Sequence, residues 1–227
     1  MIILKSENIH KSFFTTEGVE LKILKGIDFE LEKNKVTMIA GKSGSGKSTL
    51  LHILSGLDMP DKGNVEILGE NIFDKKDKSI SEFRNKHIGF VFQFHQLLGE
   101  FTAEENVAIP MILKGISLPA AKKDARKILD LVGLSDRASH KPAQLSGGEQ
   151  QRVAVARAIA NYPEIIFADE PTGNLDSENS AVINSLLLEL KEKFNITLLI
   201  VTHNLDLLKL ADKIYEMKDG ILHPKEL

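Results

Sequence analysis

The sequence predicts an α/β fold in which helices flank a mostly parallel sheet. Short runs of β-branched and other apolar residues recur along the chain, and segments with helical periodicity separate them. A glycine-rich loop also lies between one such run and a helix, as in sheets that bind nucleotides. The later runs are Ile88 to Phe92, Ile165 to Ala168, Leu198 to Val201 and Ile214 to Met217.

The glycine-rich loop lies between a predicted strand, Val36 to Ala40, and a predicted helix, Thr49 to Leu57. Closely spaced glycines let consecutive backbone N–H groups surround an anion. Lys47 can reach the β- and γ-phosphates, the Ser48 hydroxyl can ligate Mg²⁺, and the helix presents its positive end. This order predicts a P-loop NTPase, with a decayed, non-binding loop as the alternative. The loop comprises Gly41, Lys42, Ser43, Gly44, Ser45, Gly46, Lys47, Ser48 and Thr49.

Three predicted strands near the beginning of the chain have no helix between the first two. They are Ile2 to Ile9, Leu21 to Leu31 and Val65 to Leu68, and they predict a small antiparallel β layer. At the other end, Lys218 to Gly220 has the composition of a hairpin turn.

Between Gln93 and Leu145 no strand-like run appears, and apolar residues recur at helical spacing from Ala103 to Leu113 and from Ala120 to Val132. Thr102 is followed three residues later by Glu105, the pattern of a capping box. We therefore expect an inserted helical subdomain.

We expect one compact domain, residues 1–227, in which residues 1–93 and 149–227 form a RecA-like core and residues 94–148 the helical subdomain. With 42% hydrophobic and 27% charged residues, the composition is that of a globular protein. The net charge of −3 supplies no basic footprint, so we expect no nucleic acid partner.

No apolar stretch approaches the roughly 18 residues that a membrane span requires, and the first residues lack a secretory pattern. We therefore expect the chain to stay in the cytosol and to reach a membrane only through a partner. The absence of cysteine excludes disulfides and thiolate metal sites.

An acidic pair, Asp169 and Glu170, follows the predicted strand Ile165 to Ala168. Ligands of open parallel sheets bind at the carboxyl ends of the strands. Asp169 can hold Mg²⁺ through water, and Glu170 can polarise the water that attacks the γ-phosphate. The alternative for such a pair is a helix cap.

A second phosphate-binding turn is predicted at Ser146, Gly147 and Gly148, before a helical segment from Glu149 to Ala160. Ser146 is also a good N-cap, which is the simpler interpretation. The same geometry offers a hydroxyl, backbone N–H groups and a helix dipole to an anion. One triphosphate does not need two such turns, whereas two half-sites that face each other would.

The order of motifs from Phe13 to His203 resembles that of the ATP-binding subunits of ABC transporters, with Walker A, Q-loop, signature, Walker B, D-loop and H-loop. The resemblance implies ATP and Mg²⁺ as cofactors and a head-to-tail homodimer formed on ATP. In such a dimer, Ser146, Gly147 and Gly148 complete the partner's site.

The resemblance also implies roles for individual residues. Phe13 takes the adenine-stacking position, with Phe14 as its rival and core packing as an alternative for both. Gln93 matches the Q-loop, where it would contact Mg²⁺ and the attacking water, although a glutamine after a strand is ordinarily just polar surface.

His203 matches the H-loop and would contact the γ-phosphate and orient Glu170. Asp176, in the stretch Asn174 to Asp176, fits the D-loop that communicates across the dimer, or else an ordinary turn. The catalytic residues that the resemblance implies are Glu170, His203, Gln93 and Lys47.

Three stretches are similar to the ATPases of bacterial lipoprotein-releasing systems, the LolD family: Phe92 to Leu98, Phe101 to Val107 and Pro171 to Asp176. The last is shared with ATPases of macrolide-export and cell-division complexes, which remain alternatives. This resemblance implies an ATPase that acts peripherally at the cytoplasmic face of the bacterial inner membrane. The rivals from other classes are a soluble ABC ATPase without a membrane partner and a regulatory module that binds nucleotide without turnover.

The segment from Phe94 to Leu113 is unusually apolar for a region beside a nucleotide site. In the family, a short cytoplasmic helix of each membrane subunit lies beside the Q-loop, and an apolar groove would bind it. Core packing of the subdomain is the alternative for about half of these residues.

Overall fold

The computed structural model describes residues 1–225, except for the side chains of residues 205 and 206. The chain divides into two compact units. The first unit comprises Met1–Ser81 and the chain from Thr197 onward, and the second comprises Glu82–Ile196.

In the described part of the chain, the strands are β1 (Ile2–Phe14), β2 (Glu20–Glu32), β3 (Val36–Ala40), β4 (Lys62–Ile67), β5 (Glu70–Asn71), β6 (Ile88–Val91), β7 (Ile165–Asp169), β8 (Thr197–Thr202), β9 (Lys213–Lys218) and β10 (Ile221–Lys225). The α-helices are α1 (Lys47–Leu54), α2 (Asp77–His87), α3 (Ala103–Leu113), α4 (Leu118–Leu131), α5 (Gly147–Ala158) and α6 (Ser177–Phe194). Within this part, no helix is both long enough and apolar enough to span a membrane.

The first unit contains the predicted antiparallel layer, with strand order β2, β1, β4, β5. It also contains β3, which lies between β8 and β9 and runs parallel to both. All five residues of β3 are buried, which explains why all of them except Thr37 are apolar. The parallel pairing predicted for this part of the chain is confirmed.

Two details of the first unit differ from the sequence-based prediction. Strand β1 continues five residues beyond Ile9 to Phe14, because it keeps pairing with β2 across several register shifts that disrupt the alternating pattern. Helix α1 begins at Lys47 and ends at Leu54, whereas the spacing of leucines predicts Thr49 to Leu57. The predicted hairpin turn is confirmed.

The second unit contains the parallel pair β6 and β7, which α5 contacts. Helix α3 contacts both α4 and α5. Every residue between β6 and β7 is described, and this stretch contains helices and no strand, as predicted. Helix α2 is not predicted by the sequence, because its eleven residues are mostly polar and only Ile80 and Phe83 are buried.

Three polar side chains fix the start of α3, and Glu104 among them is buried. The predicted capping box is present, since Glu105 N donates to Thr102 Oγ1 at 3.3 Å and Thr102 N donates to Glu105 Oε2 at 2.9 Å. Buried Glu104 pairs with Lys122 at 2.7 Å and with Arg126, both on α4. Burial raises the pKa of Glu104, but the hydrogen bonds from Arg126 and Lys122 outweigh it and hold the pKa below its usual value.

Candidate functional site

The glycine-rich loop in the first unit forms a cradle of backbone. Gly46 has φ of 105° and immediately precedes α1, so a side chain there would be strained. At Gly41, a Cβ atom would lie 2.5 Å from the carbonyl oxygen of Met217. Both glycines are therefore required by the conformation and packing of the loop, and the sequence predicts that this loop binds phosphate with its backbone.

Polar groups of the loop point toward one another and toward a cavity. Buried Lys47 donates from Nζ to the carbonyl oxygens of Gly41 at 2.9 Å and Lys42 at 3.1 Å. The Oγ atom of Ser45 is buried and has no hydrogen-bond partner within the described residues. The cavity, of about 540 Å³, is lined by residues 41–45 and 216–219. An anion in this cradle would meet the Ser45 hydroxyl and the positive end of α1, and Ser48 lies in the first turn of that helix.

The predicted adenine-stacking position lies at the end of β1. The side chain of Phe13 is 45% exposed and that of Phe14 is 73% exposed. The ammonium group of Lys11 lies over the Phe13 ring, 5.4 Å from its centroid. The exposure of both rings argues against the core-packing alternative, and a cation lies over one face of the Phe13 ring.

His203 lies at the same edge of the sheet as the glycine-rich loop. Ala40, the last residue of β3, is in register with Thr202, the last residue of β8. Gly41 and His203 are the residues that follow these two strand ends. His203 is exposed at this edge, as expected for a ligand-contacting residue.

In the second unit, the predicted carboxylates also lie at the carboxyl end of a parallel strand. Val91 at the end of β6 is in register with Ala168 in β7, so Gln93 and the acidic pair lie at one edge of this parallel pair. Asp169 and Glu170 are both buried. Glu170 has φ of 46°, a left-handed conformation that is unusual for glutamate and is common at functional sites.

Gln93 lies beside the segment that contains the predicted D-loop. Asn174 Nδ2 donates to the carbonyl oxygen of Gln93 at 3.1 Å. At Gly173, a Cβ atom would lie 3.1 Å from Gln93 Nε2 and 3.4 Å from Glu170 Cβ. The structure thus brings the Q-loop glutamine next to the segment that follows Glu170.

Ser146 acts as a helix cap, in agreement with the simpler interpretation of the second glycine-bearing turn. Its Oγ accepts from Glu149 N at 3.2 Å, and Glu149 Oε2 accepts from Ser146 N at 2.8 Å. Gly147 and Gly148 form the first turn of α5, so their N–H groups lie at its positive end.

Asp176 is likewise the N-cap of α6. Its carboxylate accepts from the backbone N of Asn179 at 2.8 Å and from the Asn179 side chain at 3.1 and 2.9 Å. These hydrogen bonds, the backbone one foremost, lower the pKa of Asp176.

Sequence reasoning missed Gln151, a buried residue of α5. Its Nε2 donates to the carbonyl oxygens of Pro171 at 2.6 Å and Phe92 at 3.3 Å, and its Oε1 accepts from His95 Nδ1. Phe92 precedes Gln93 and Pro171 follows Glu170, so one side chain ties both predicted catalytic segments together. No sequence signal distinguishes Gln151 from its neighbour Gln150.

The apolar segment from Phe94 to Leu113 divides into two sets. Val107, Ala108 and Met111 are buried, in agreement with the core-packing alternative. A second set is exposed and comprises Phe94, Leu98, Phe101, Ile112 and Leu113. The exposed set is what a docking groove requires, so each interpretation accounts for part of the segment.

Comparison with known proteins identifies the family. Residues 24–173 match the ABC transporter family. The lipoprotein-releasing system ATP-binding protein LolD of Bacteroides fragilis is 52% identical over 212 residues, which are 93% of this chain and 98% of that protein. The LolD protein of Bdellovibrio bacteriovorus is 49% identical over 218 residues, or 96% and 98% of the two chains.

Solved structures agree with these relatives and confirm the predicted fold class. A dimeric ATP-binding cassette in a post-hydrolysis state, bound to ADP and Pi, matches with a TM-score of 0.91 and 39% identity over 99% of this chain and 98% of that chain. The cbiO1 subunit of an ABC transporter complex from Clostridium perfringens matches with a TM-score of 0.83 and 30% identity over 97% and 86%. The chain therefore belongs to the ABC transporter family, among the LolD ATP-binding proteins.

Proposed function

We propose that the chain is the ATP-binding and ATP-hydrolysing subunit of a membrane ABC transporter that releases lipoproteins. The observation that carries the ATPase is the backbone cradle at residues 41–49, with Lys47 folded onto it and an unsatisfied Ser45 hydroxyl inside it. The lipoprotein cargo is proposed from the LolD relatives that match nearly the whole chain. As such a subunit, the protein would act peripherally at the cytoplasmic face of the bacterial inner membrane.

The proposed phosphate site uses the whole glycine-rich loop. Backbone N–H groups from Gly41 to Thr49 surround the β- and γ-phosphates, and Lys47 exchanges its two carbonyl contacts for phosphate oxygens. Phe13 offers an exposed ring for the adenine. The positive end of α1 adds to the attraction of the anion.

Ser48, Gln93 and Asp169 would hold Mg²⁺, because a hydroxyl, an amide and a carboxylate are the hard oxygen donors that this ion prefers. Asp169 supplies the only full negative charge of this set, and it is buried at the end of β7. When bound, the ion offsets the charge that develops on the phosphate oxygens.

Glu170 is proposed as the base that polarises the attacking water, oriented by His203, which also contacts the γ-phosphate. Its left-handed backbone, directly after β7, supports this role because such strain persists where the surroundings hold a side chain in a required position. Gln93 contacts the same water from the end of β6.

We further propose that two copies assemble head to tail, with ATP between the loop of one copy and Ser146, Gly147 and Gly148 of the other. Asp176 lies in the D-loop of this interface. Because Ser146 Oγ is already engaged as a cap, the α5 turn is preformed for an anion. The dimeric cassette at 39% identity supports assembly of two copies.

Within each copy, we propose that residues 1–93 and 149–227 form the catalytic core and residues 94–148 a helical subdomain that contacts the membrane subunits. The exposed apolar set from Phe94 to Leu113 supports this contact. The backbone of Leu98 is held by buried Asn106, which accepts from Leu98 N at 2.8 Å and donates to Leu98 O at 3.1 Å. The Leu98 side chain is thereby presented outward.

The variant Glu170→Gln tests the catalytic and dimer proposals together. We expect its ATPase activity to fall at least about 100-fold, because the amide cannot accept the proton of water. ATP binding should remain, so that the protein elutes as a dimer with ATP in size-exclusion chromatography with light scattering. Glu192→Gln, at an exposed position of α6, is the matched control and should behave as the unmodified protein. Normal turnover in Glu170→Gln would remove Glu170 from its assigned role.

A further inference from the structure

The ring at the proposed adenine position has a fixed cation on one face. Lys11 Nζ lies 5.4 Å from the centroid of the Phe13 ring. The same ammonium donates to Asp58 Oδ1 at 3.0 Å and to the carbonyl oxygen of Met59 at 2.6 Å. The Lys11 side chain is only 12% exposed. The two hydrogen bonds restrict the Lys11 side chain more than that of an ordinary surface lysine. They hold its ammonium group over one face of the Phe13 ring.

Two further hydrogen bonds join this part of β1 to residues 58–61, the loop that contains Asp58 and Met59. Ser12 N donates to Asp61 Oδ2 at 2.6 Å, and Asp61 N donates to the carbonyl oxygen of His10 at 2.8 Å. Four hydrogen bonds thus join residues 10–12 to residues 58–61. These bonds hold the three residues of β1 that immediately precede Phe13.

The loop that receives Lys11 is the continuation of the phosphate-binding helix. Asp58 N and Leu57 N both donate to the carbonyl oxygen of His52, at 3.1 and 2.8 Å. His52 lies in the last turn of α1, and Lys47 begins the same helix. Helix α1 and the turn that follows it therefore carry Lys47 at one end and Asp58, which anchors Lys11, at the other.

Strand β2 also connects Phe13 with the glycine-rich loop. Leu21 is in register with Phe13. A Cβ atom at Gly46 would lie 3.1 Å from Leu24 and 3.2 Å from Ile23. Since a strand rises about 3.3 Å per residue, the ring lies roughly 10 Å along β2 from the loop, a span suited to an extended nucleotide.

We propose that Lys11 is a positioning residue for the nucleotide base: anchored by Asp58, it covers one face of the Phe13 ring and presents the other face to a purine at a fixed distance from the phosphates. The inference rests on the proposed ATP site and adds a residue to it. A cation over an aromatic face is attracted by the ring quadrupole, which holds the ring against rotation. An untethered phenylalanine at 45% exposure would lose rotamer freedom on stacking.

The experiment compares ATP with inorganic tripolyphosphate, which has the phosphates and lacks the base. For Lys11→Met we expect ATP affinity to fall roughly fivefold to tenfold, with KM raised and kcat within about twofold. Affinity for tripolyphosphate should be unchanged. Lys11→Arg should restore most of the ATP affinity, because a guanidinium can keep both the carboxylate and the ring contact. Lys5→Met, on the same strand, where Lys5 pairs with Glu7 at 2.6 Å, is the matched control.

Asp58→Ala provides a second route, since it removes one of the two acceptors of Lys11 Nζ and leaves Lys11 in place, and it should weaken ATP binding in the same direction. Unchanged ATP affinity in folded Lys11→Met or Asp58→Ala protein would overturn the inference, as would an equal loss of tripolyphosphate affinity, which indicates a structural role. If the unmodified protein binds tripolyphosphate and ATP equally well, the base site fails while the phosphate site stands. If it binds neither, the proposed function itself fails.

Discussion

The residues with recognisable chemistry and the residues that hold them in place differ in how visible they are in the sequence. Lys47, Asp169 and Glu170 stand out because their types and neighbours suit phosphate and magnesium chemistry. Gln151 and Lys11 do not, because their partners are backbone carbonyls and a ring that only the fold brings together. Positioning residues of this kind depend on long-range contacts, which residue spacing does not encode.

Substitution of Gln151 tests whether turnover depends on how Gln93 and Glu170 are positioned. In Gln151→Leu, the carbonyl oxygens of Phe92 and Pro171 lose a buried donor, and each unpaired group costs about 1–3 kcal/mol. Because these carbonyls flank Gln93 and Glu170, we expect kcat to fall about 10- to 100-fold. Thermal unfolding and steady-state ATPase assays measure the two effects separately.

Gln150→Leu is the control for this prediction. Gln150 Nε2 also donates to two carbonyl oxygens, those of Pro142 and Leu145, each at 3.1 Å. Its removal should lower the stability by a similar amount and leave kcat within about threefold. Equal losses of activity in the two variants would show that stability, and not the positions of Gln93 and Glu170, explains the effect.

At the level of elements, the sequence predicts the fold well where periodicity and caps coincide. The start of α3 follows from its capping box, and the β9–β10 hairpin follows from Asp219 and Gly220, whose φ angles of 51° and 80° suit a tight turn. Helix α2 could not be predicted, because it buries few apolar residues and so lacks an amphipathic pattern. The length of β1 was underestimated, because its register shifts interrupt the alternation.

The contact between α5 and α6 shows why one glycine of the turn at residues 146–148 is required by packing. A Cβ atom at Gly148 would lie 2.2 Å from Asn179 Oδ1, whereas one at Gly147 would meet only Leu175 at 3.7 Å. Asn179 is itself held by Asp176. Asn179 therefore contacts both the turn at residues 146–148 and Asp176, in the predicted D-loop, within one copy.

We expect Gly148→Ala to destabilise the isolated chain by about 1–3 kcal/mol through overpacking, measured by chemical denaturation without nucleotide. Gly147→Ala is the matched control and should be neutral or stabilising, because alanine favours a helix over glycine. In the double variant Gly148→Ala with Asn179→Ala, the loss should be smaller than the sum of the single losses. Strict additivity would contradict the link through Asn179.

For the whole molecule, the question is how the proposed assembly of two copies on ATP would act on the membrane subunits. The exposed apolar set of the Phe94 to Leu113 segment follows Gln93 directly in sequence, so movement at the nucleotide would reach it through few residues. The family resemblance indicates the same segment, and the structure adds which of its residues are exposed.

Leu98→Glu tests this surface in the assembled transporter. The side chain is 48% exposed and its backbone is anchored by Asn106, so a carboxylate there should leave the fold intact and repel an apolar helix. We expect the variant to bind ATP normally and to lose at least about 90% of the membrane subunits in affinity capture from detergent-solubilised membranes, because a charge in an apolar interface costs several kcal/mol.

Leu118→Glu is the matched control for that experiment. Leu118, at the start of α4, is 51% exposed, so the same substitution adds the same charge at an equally accessible leucine outside the exposed set. Loss of the membrane subunits in both variants would indicate a general effect of charge on the subdomain. Retention of the membrane subunits by Leu98→Glu would exclude the proposed groove and move the membrane contact to another surface of the chain.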